Sequence, residues 1–84
     1  MVKRYAKNPI VVEAIQFREN DNNMACRDFL DGHYNGRVKY PNIMNSDDLT
    51  IRVNPGDYVI KRSDSDFYYR ASANVFEQDY VEIK

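Results

Sequence analysis

At 84 residues the chain can build one hydrophobic core but not two, because half that length rarely buries enough apolar surface to offset chain entropy. Twelve Lys and Arg against thirteen Asp and Glu give a net charge of −1, which excludes an overall electrostatic pull toward nucleic acid or anionic membrane. The single cysteine, Cys26, excludes an intramolecular disulfide, and no apolar run approaches the ~18 residues of a membrane span.

The elements follow in chain order. Lys3, Arg4 and Lys7 form the only basic cluster near a terminus. "PIVVEAIQF", Pro9 to Phe17, is rich in β-branched residues and apolar on both faces, so it reads as a central strand covered on two sides. Val12, Ala14 and Gln16 fall on one face, and Val11, Glu13, Ile15 and Phe17 on the other. A helix is expected from about Asn22 to Asp31, capped by Asp21 or Asn22, with Met24, Ala25, Phe29 and Cys26 or Leu30 on its apolar stripe. Gly32 fits the left-handed position that ends such a helix.

"HYNG" is a turn, and "RVKYPNI" a short strand that Pro41 confines to a sheet edge. "MNSDD" reads as a loop, and "LTIRV" alternates with Leu49, Ile51 and Val53 facing in. In "NPGD", Pro55 presets φ for the first central position of a type II turn and Gly56 supplies the positive φ of the second. "YVIKR", the "SDSD" loop and "FYYRA" form a β-hairpin, "SANVFEQ" can form one helical turn capped by Ser72, and "DYVEI" is a last strand. The expectation is an α+β fold over residues 1–84: a curled antiparallel sheet of five or six strands with one helix on a face.

Aromatic residues are dense toward the end: Tyr58, Phe67, Tyr68, Tyr69, Phe76 and Tyr80. Strand alternation sends Phe67 and Tyr69 to one side and Tyr68 to the other. One reading puts Phe67, Phe76 and Tyr80 in the core, with tyrosine hydroxyls at its rim. The functional reading makes the hairpin a contact surface of Tyr58, Lys61, Arg62, Tyr68, Tyr69 and Arg70, since Tyr and Arg are the residue types that dominate interface hot spots. Stacking of bases on the same rings is opposed by Asp57, Asp64, Asp66, Glu77 and Asp79, which would repel a phosphate backbone.

Other chemistry is poorly supported. The acidic loops at 46–48 and 64–66 lack the ligand spacing of a calcium loop, and one His with one Cys cannot close a zinc site. His33, placed after a helix, reads as a cap favoured by the helix dipole. Neither Cys26 nor any Ser sits in a nucleophile context, and Gly32, Gly36 and Gly56 are too scattered for a phosphate loop. No enzyme activity, metal or cofactor is therefore expected.

Four stretches carry a resemblance: "KRYAKNPIVVEAIQF" from Lys3, "PGDYVIK" from Pro55, the Phe67-Tyr68 pair and "FEQDY" from Phe76. In this order, over a little over a third of the chain, they resemble a family of small proteins encoded in phages and prophages. Family members have a Gly after the second element and a "FYPCKPDIFE" run. This chain has Arg62 and the longer "FYYRASANVFE" there. The resemblance implies expression in the cytoplasm of a bacterial host and no defined biochemical activity. The expectation is thus a phage-type accessory protein that binds non-covalently, as a stoichiometric inhibitor of a host defence or regulatory protein. The alternatives are a nucleotide or single-stranded nucleic-acid binding module, and a structural virion or homo-oligomer component. Exposed strand edges near Val38 to Ile43 would favour a homodimer.

Overall fold

The computed structural model describes residues 2–7, 10–18, 23–36, 41–46, 49–64 and 67–83. Along them run β1 (Lys3–Lys7), β2 (Ile10–Gln16), α1 (Asn23–Leu30), β3 (Asn42–Ser46), β4 (Leu49–Arg52), β5 (Tyr58–Arg62), β6 (Tyr68–Ala71), α2 (Ala73–Asp79) and β7 (Val81–Glu82). The class is α+β: a five-stranded antiparallel sheet ordered β6-β5-β2-β1-β7, with β3 and β4 as a separate ribbon.

Strand β2 is central because both its faces are apolar. It pairs with β1 from Lys3↔Ala14 to Lys7↔Ile10 and with β5 from Val12↔Arg62 to Gln16↔Tyr58. One face packs Ile15, Phe17, Val59 and Tyr68 against Cys26 and Leu30 of α1 and against Ile43 and Val53 of the ribbon. The opposite face packs Val12, Ala14, Tyr58 and Ile60 against Phe76 of α2. Each fully buried side chain of this size stabilises the fold by about 1.5–3 kcal/mol relative to exposure. A two-sided core is how so short a chain assembles enough of them.

Several expectations are corrected. Lys3–Lys7 is a strand, and its basic residues flank Tyr5, which packs against the α2 core. Helices cover both faces of the sheet, because the segment expected to make one turn becomes the two-turn α2. Ser72 caps it, with Oγ accepting from the Val75 amide at 3.5 Å. Residues 37–40, half of the expected edge strand, and the caps at 21 and 22 lie outside the described residues. Strand β3 starts at Asn42 and continues through "MNS", whose polar composition reads as loop. In α1 the i, i+4 pair Cys26 and Leu30 docks on the cluster of Ile15 and Phe17 with Phe29 beside it, while Met24 and Ala25 stay in water.

The turns behave as read. Gly32 has φ +84° and Gly56 φ +92°. The Asp57 amide donates to the Asn54 carbonyl at 3.0 Å, closing a turn with Pro55 and Gly56 at its centre. His33 caps α1 twice, its amide and its Nδ1 donating to the Leu30 carbonyl at 2.9 and 3.1 Å.

Two asparagines of β3 hold the ribbon in place. The Asn45 side chain donates through Nδ2 to the Tyr68 carbonyl at 2.6 Å and accepts at Oδ1 from the Tyr68 amide at 3.0 Å. One amide thereby forms a rung on the outer edge of β6, as an adjacent strand would. Asn42 repeats the device on the backbone of Asn35, at 2.6 and 3.2 Å, and is itself buried. These bonds curl the ribbon against the sheet and occupy an edge that would otherwise be open.

Candidate functional site

The hairpin β5–β6 runs in the register Tyr58↔Ala71 to Lys61↔Tyr68. Because residues directly opposite share a face, the six sequence-predicted contact residues divide into two sets. Lys61, Tyr68 and Arg70 lie on the α1 side, and Tyr58, Arg62 and Tyr69 on the α2 side. They do not form one surface.

Two of the rings are also buried. Tyr68, 3% exposed, packs edge-on against Phe29 with centroids 5.8 Å apart and lies 4.9 Å from the His33 ring. Tyr58, 8% exposed, stacks on Phe76 at 4.1 Å, and Phe76 stacks on Tyr80 at 4.6 Å. Tyr5 meets the edges of Tyr58 and Phe76, completing an aromatic core under α2. The Tyr58 hydroxyl donates to Glu77 Oε2 at 2.9 Å. Burial first, and then the neighbouring Glu77 carboxylate, push its pKa up to about 12. Arg70, itself exposed, reaches back to the buried Asp57 at 3.5 Å and braces the turn.

Lys61 is half-buried, its Nζ donating to the Arg62 carbonyl at 3.2 Å, and two members remain. Arg62 is exposed and pairs with Asp64 at 3.2 Å, a contact of small worth in water. Tyr69 is half-buried, its hydroxyl 3.2 Å from that of Tyr80. Burial, with the Tyr80 hydroxyl, raises its pKa well above the ordinary phenol range, and the nearby Arg62 charge opposes part of that rise.

Sequence reasoning missed Phe67, which it assigned to the core. Phe67 is 56% exposed, tilted against Tyr69 with centroids 6.4 Å apart. Its position follows from alternation: once Tyr68 is drawn under α1, Phe67 must take the α2 side. There it lies one step beyond the paired rungs, opposite Arg62. Ile10, exposed at the start of β2, belongs to the same end and lines a groove of about 320 Å³ with Val11, Arg62, Ser63 and Asp64. Ile10, Arg62, Phe67 and Tyr69 thus share the α2 face at this end of the sheet, with Arg62 on β5 between Ile10 on β2 and the rings of Phe67 and Tyr69.

No protein-family model, curated protein or solved structure matches this chain.

A second concavity, of about 230 Å³, lies at the other end of the α2 face, lined by Lys3, Tyr5, Gln16, Arg18, Tyr58 and Glu82. It is polar, and Lys3 already pairs with Glu82 at 3.7 Å. Among the described residues no group of three His, Cys, Asp or Glu is placed to hold a metal, and no helix is long and apolar enough to cross a membrane.

Proposed function

We propose that this chain is a non-covalent, stoichiometric protein binder of the phage accessory kind, an inhibitor of a host defence or regulatory protein. Its contact surface is the patch of Ile10, Arg62, Phe67 and Tyr69. The observation that carries this reading is Phe67, a large ring left mostly in water beside an Arg and a Tyr although two cores lay within reach. Aromatic and Arg side chains at the centre of a patch supply most of the energy when a standard interface closes over them. The rings of Tyr58 and Tyr68 contribute by holding the hairpin rigid, which lowers the entropy lost on binding.

The test begins with a pull-down from bacterial lysate, followed by calorimetry with the purified captured protein. Phe67→Ala and Arg62→Ala are each expected to weaken binding at least thirtyfold, about 2 kcal/mol for a hot-spot residue. Stability should stay within about 0.5 kcal/mol of the parent, as for other surface substitutions. Unchanged affinity in both variants would refute the assignment.

The polar concavity at Lys3 and Arg18 supports a second reading, a nucleotide-sized ligand bound by cations and tyrosine hydroxyls. Nucleotide released from the purified protein on denaturation, and lost in Arg18→Gln, would favour it. Binding of single strands by stacking gains less support, since Tyr58, Phe76 and Tyr80 already stack on one another.

A further inference from the structure

The main sheet is covered unevenly. On the α1 side, helix and ribbon lie over Ile15, Phe17, Val59 and Tyr68, leaving the end formed by β1 and β7 bare among the described residues. Two cross-strand rows lie there. The registers Ala6↔Val81 and Ala6↔Val11 make an apolar row. Next to it, the pairs Arg4↔Glu13 and Glu13↔Lys61 make a charged row, which Ile83 extends by donating its amide to the Arg4 carbonyl at 2.9 Å. Val81 is 73% exposed and Ile83 39% exposed. Aliphatic side chains fixed in strand geometry on an edge strand are a surface disposed to pair.

We propose that this bare face is the contact between two copies of the chain related by a two-fold axis. The charge pattern selects the occupant. A partner surface of one sign would set part of the row against its like, since Arg4 and Glu13 are neighbours of opposite charge. A second copy turned about an axis between β1 and β2 places Arg4 of each protomer against Glu13 of the other, with Ala6 and Val11 meeting between them. A two-fold contact requires this self-complementarity. The face is on the other side of the sheet from Phe67 and Tyr69 and meets the groove beside Arg62 only at Val11, so Val81→Asp and Phe67→Ala distinguish this proposal from the proposed function.

Sedimentation of the full chain over a wide concentration range tests it. The expected result is reversible association from 9.9 kDa toward twice that mass. Val81→Asp, at an exposed position, should weaken association at least about thirtyfold while circular dichroism and thermal midpoint stay at parent values. Arg4→Glu and Glu13→Arg should each weaken it, and the double exchange should restore it to within about threefold of the parent. A monomer at every concentration overturns the proposal. So does a double variant as weak as the singles, or association abolished by Phe67→Ala and not by Val81→Asp.

Discussion

Asn42 and Asn45 make the same pair of hydrogen bonds in different surroundings, so their replacement by Ala separates bond count from burial. Asn45→Ala removes both bonds to Tyr68, but Asn45 is exposed and water can take over the freed backbone groups. Two neutral bonds worth about 0.5–1.5 kcal/mol each, largely replaced by hydration, leave an expected loss of ~1 kcal/mol. Asn42 is 1% exposed and holds the Asn35 amide and carbonyl. Its side chain is sealed inside the fold, so its loss opens a void as well as freeing the two Asn35 groups, and Asn42→Ala should cost about 2–4 kcal/mol. Against the roughly 4–8 kcal/mol plausible for a domain of this size, that is about half the total stability. Urea unfolding followed by circular dichroism gives both losses as midpoint shifts at constant slope. Amide exchange should show the Tyr68 N–H alone losing protection in Asn45→Ala. Equal costs at the two sites, or a larger one at Asn45, would refute the argument that burial decides.

Other substitutions probe the two cores. Phe76→Ala, which empties the centre of the Tyr58–Phe76–Tyr80 stack, should cost about 3–5 kcal/mol and leave a fold unstable at moderate temperature, measured by thermal melting. The raised Tyr58 pKa makes the folded state hold its proton more tightly than the unfolded chain does. The stability this gives is complete below about pH 10 and is lost as pH rises to about 12. Tyr58→Phe should flatten that alkaline decline in a stability–pH profile, though Tyr5 and Tyr69, also raised, keep part of it. Cys26 is sealed on the inner face of α1, and burial pushes its thiol up to about 11. A thiol reagent at neutral pH should therefore label it only as the protein opens, and rapid labelling of the native state would contradict the docking of α1.

Much of the architecture was legible where local chemistry decides it. Positive φ at Gly32 and Gly56, the two apolar faces of β2, the Ser72 cap and the His33 cap all follow from one to nine neighbouring residues. What was not legible depends on distant parts of the chain. Lys3–Lys7 has too little apolar content to announce a strand, and becomes one because β2 and β7 offer edges on either side. "MNS" is polar and reads as loop, yet Asn45 is there to satisfy an edge that lies 23 residues away. The candidate site was half legible for the same reason. Alternation separated Tyr68 from Phe67 and Tyr69, but only the position of α1 determines which side is buried.

That choice of side also links the core to the proposed contact surface. Tyr68 fills the α1 core and leaves its backbone edge to Asn45, so β6 is fixed from above and from the side. Phe67 and Tyr69 are then committed to the α2 face, where α2 shelters Tyr69 through Tyr80 but leaves Phe67 in water. An exposed ring on a mobile strand would lose conformational freedom on binding, whereas one on a strand fixed at its neighbour loses little. Weakening that support should therefore reach the interface: Asn45→Ala, which touches none of the patch residues, should lower affinity for the captured partner mainly by slowing association. An association rate equal to the parent's would separate the ribbon from the binding face and confine its role to stability.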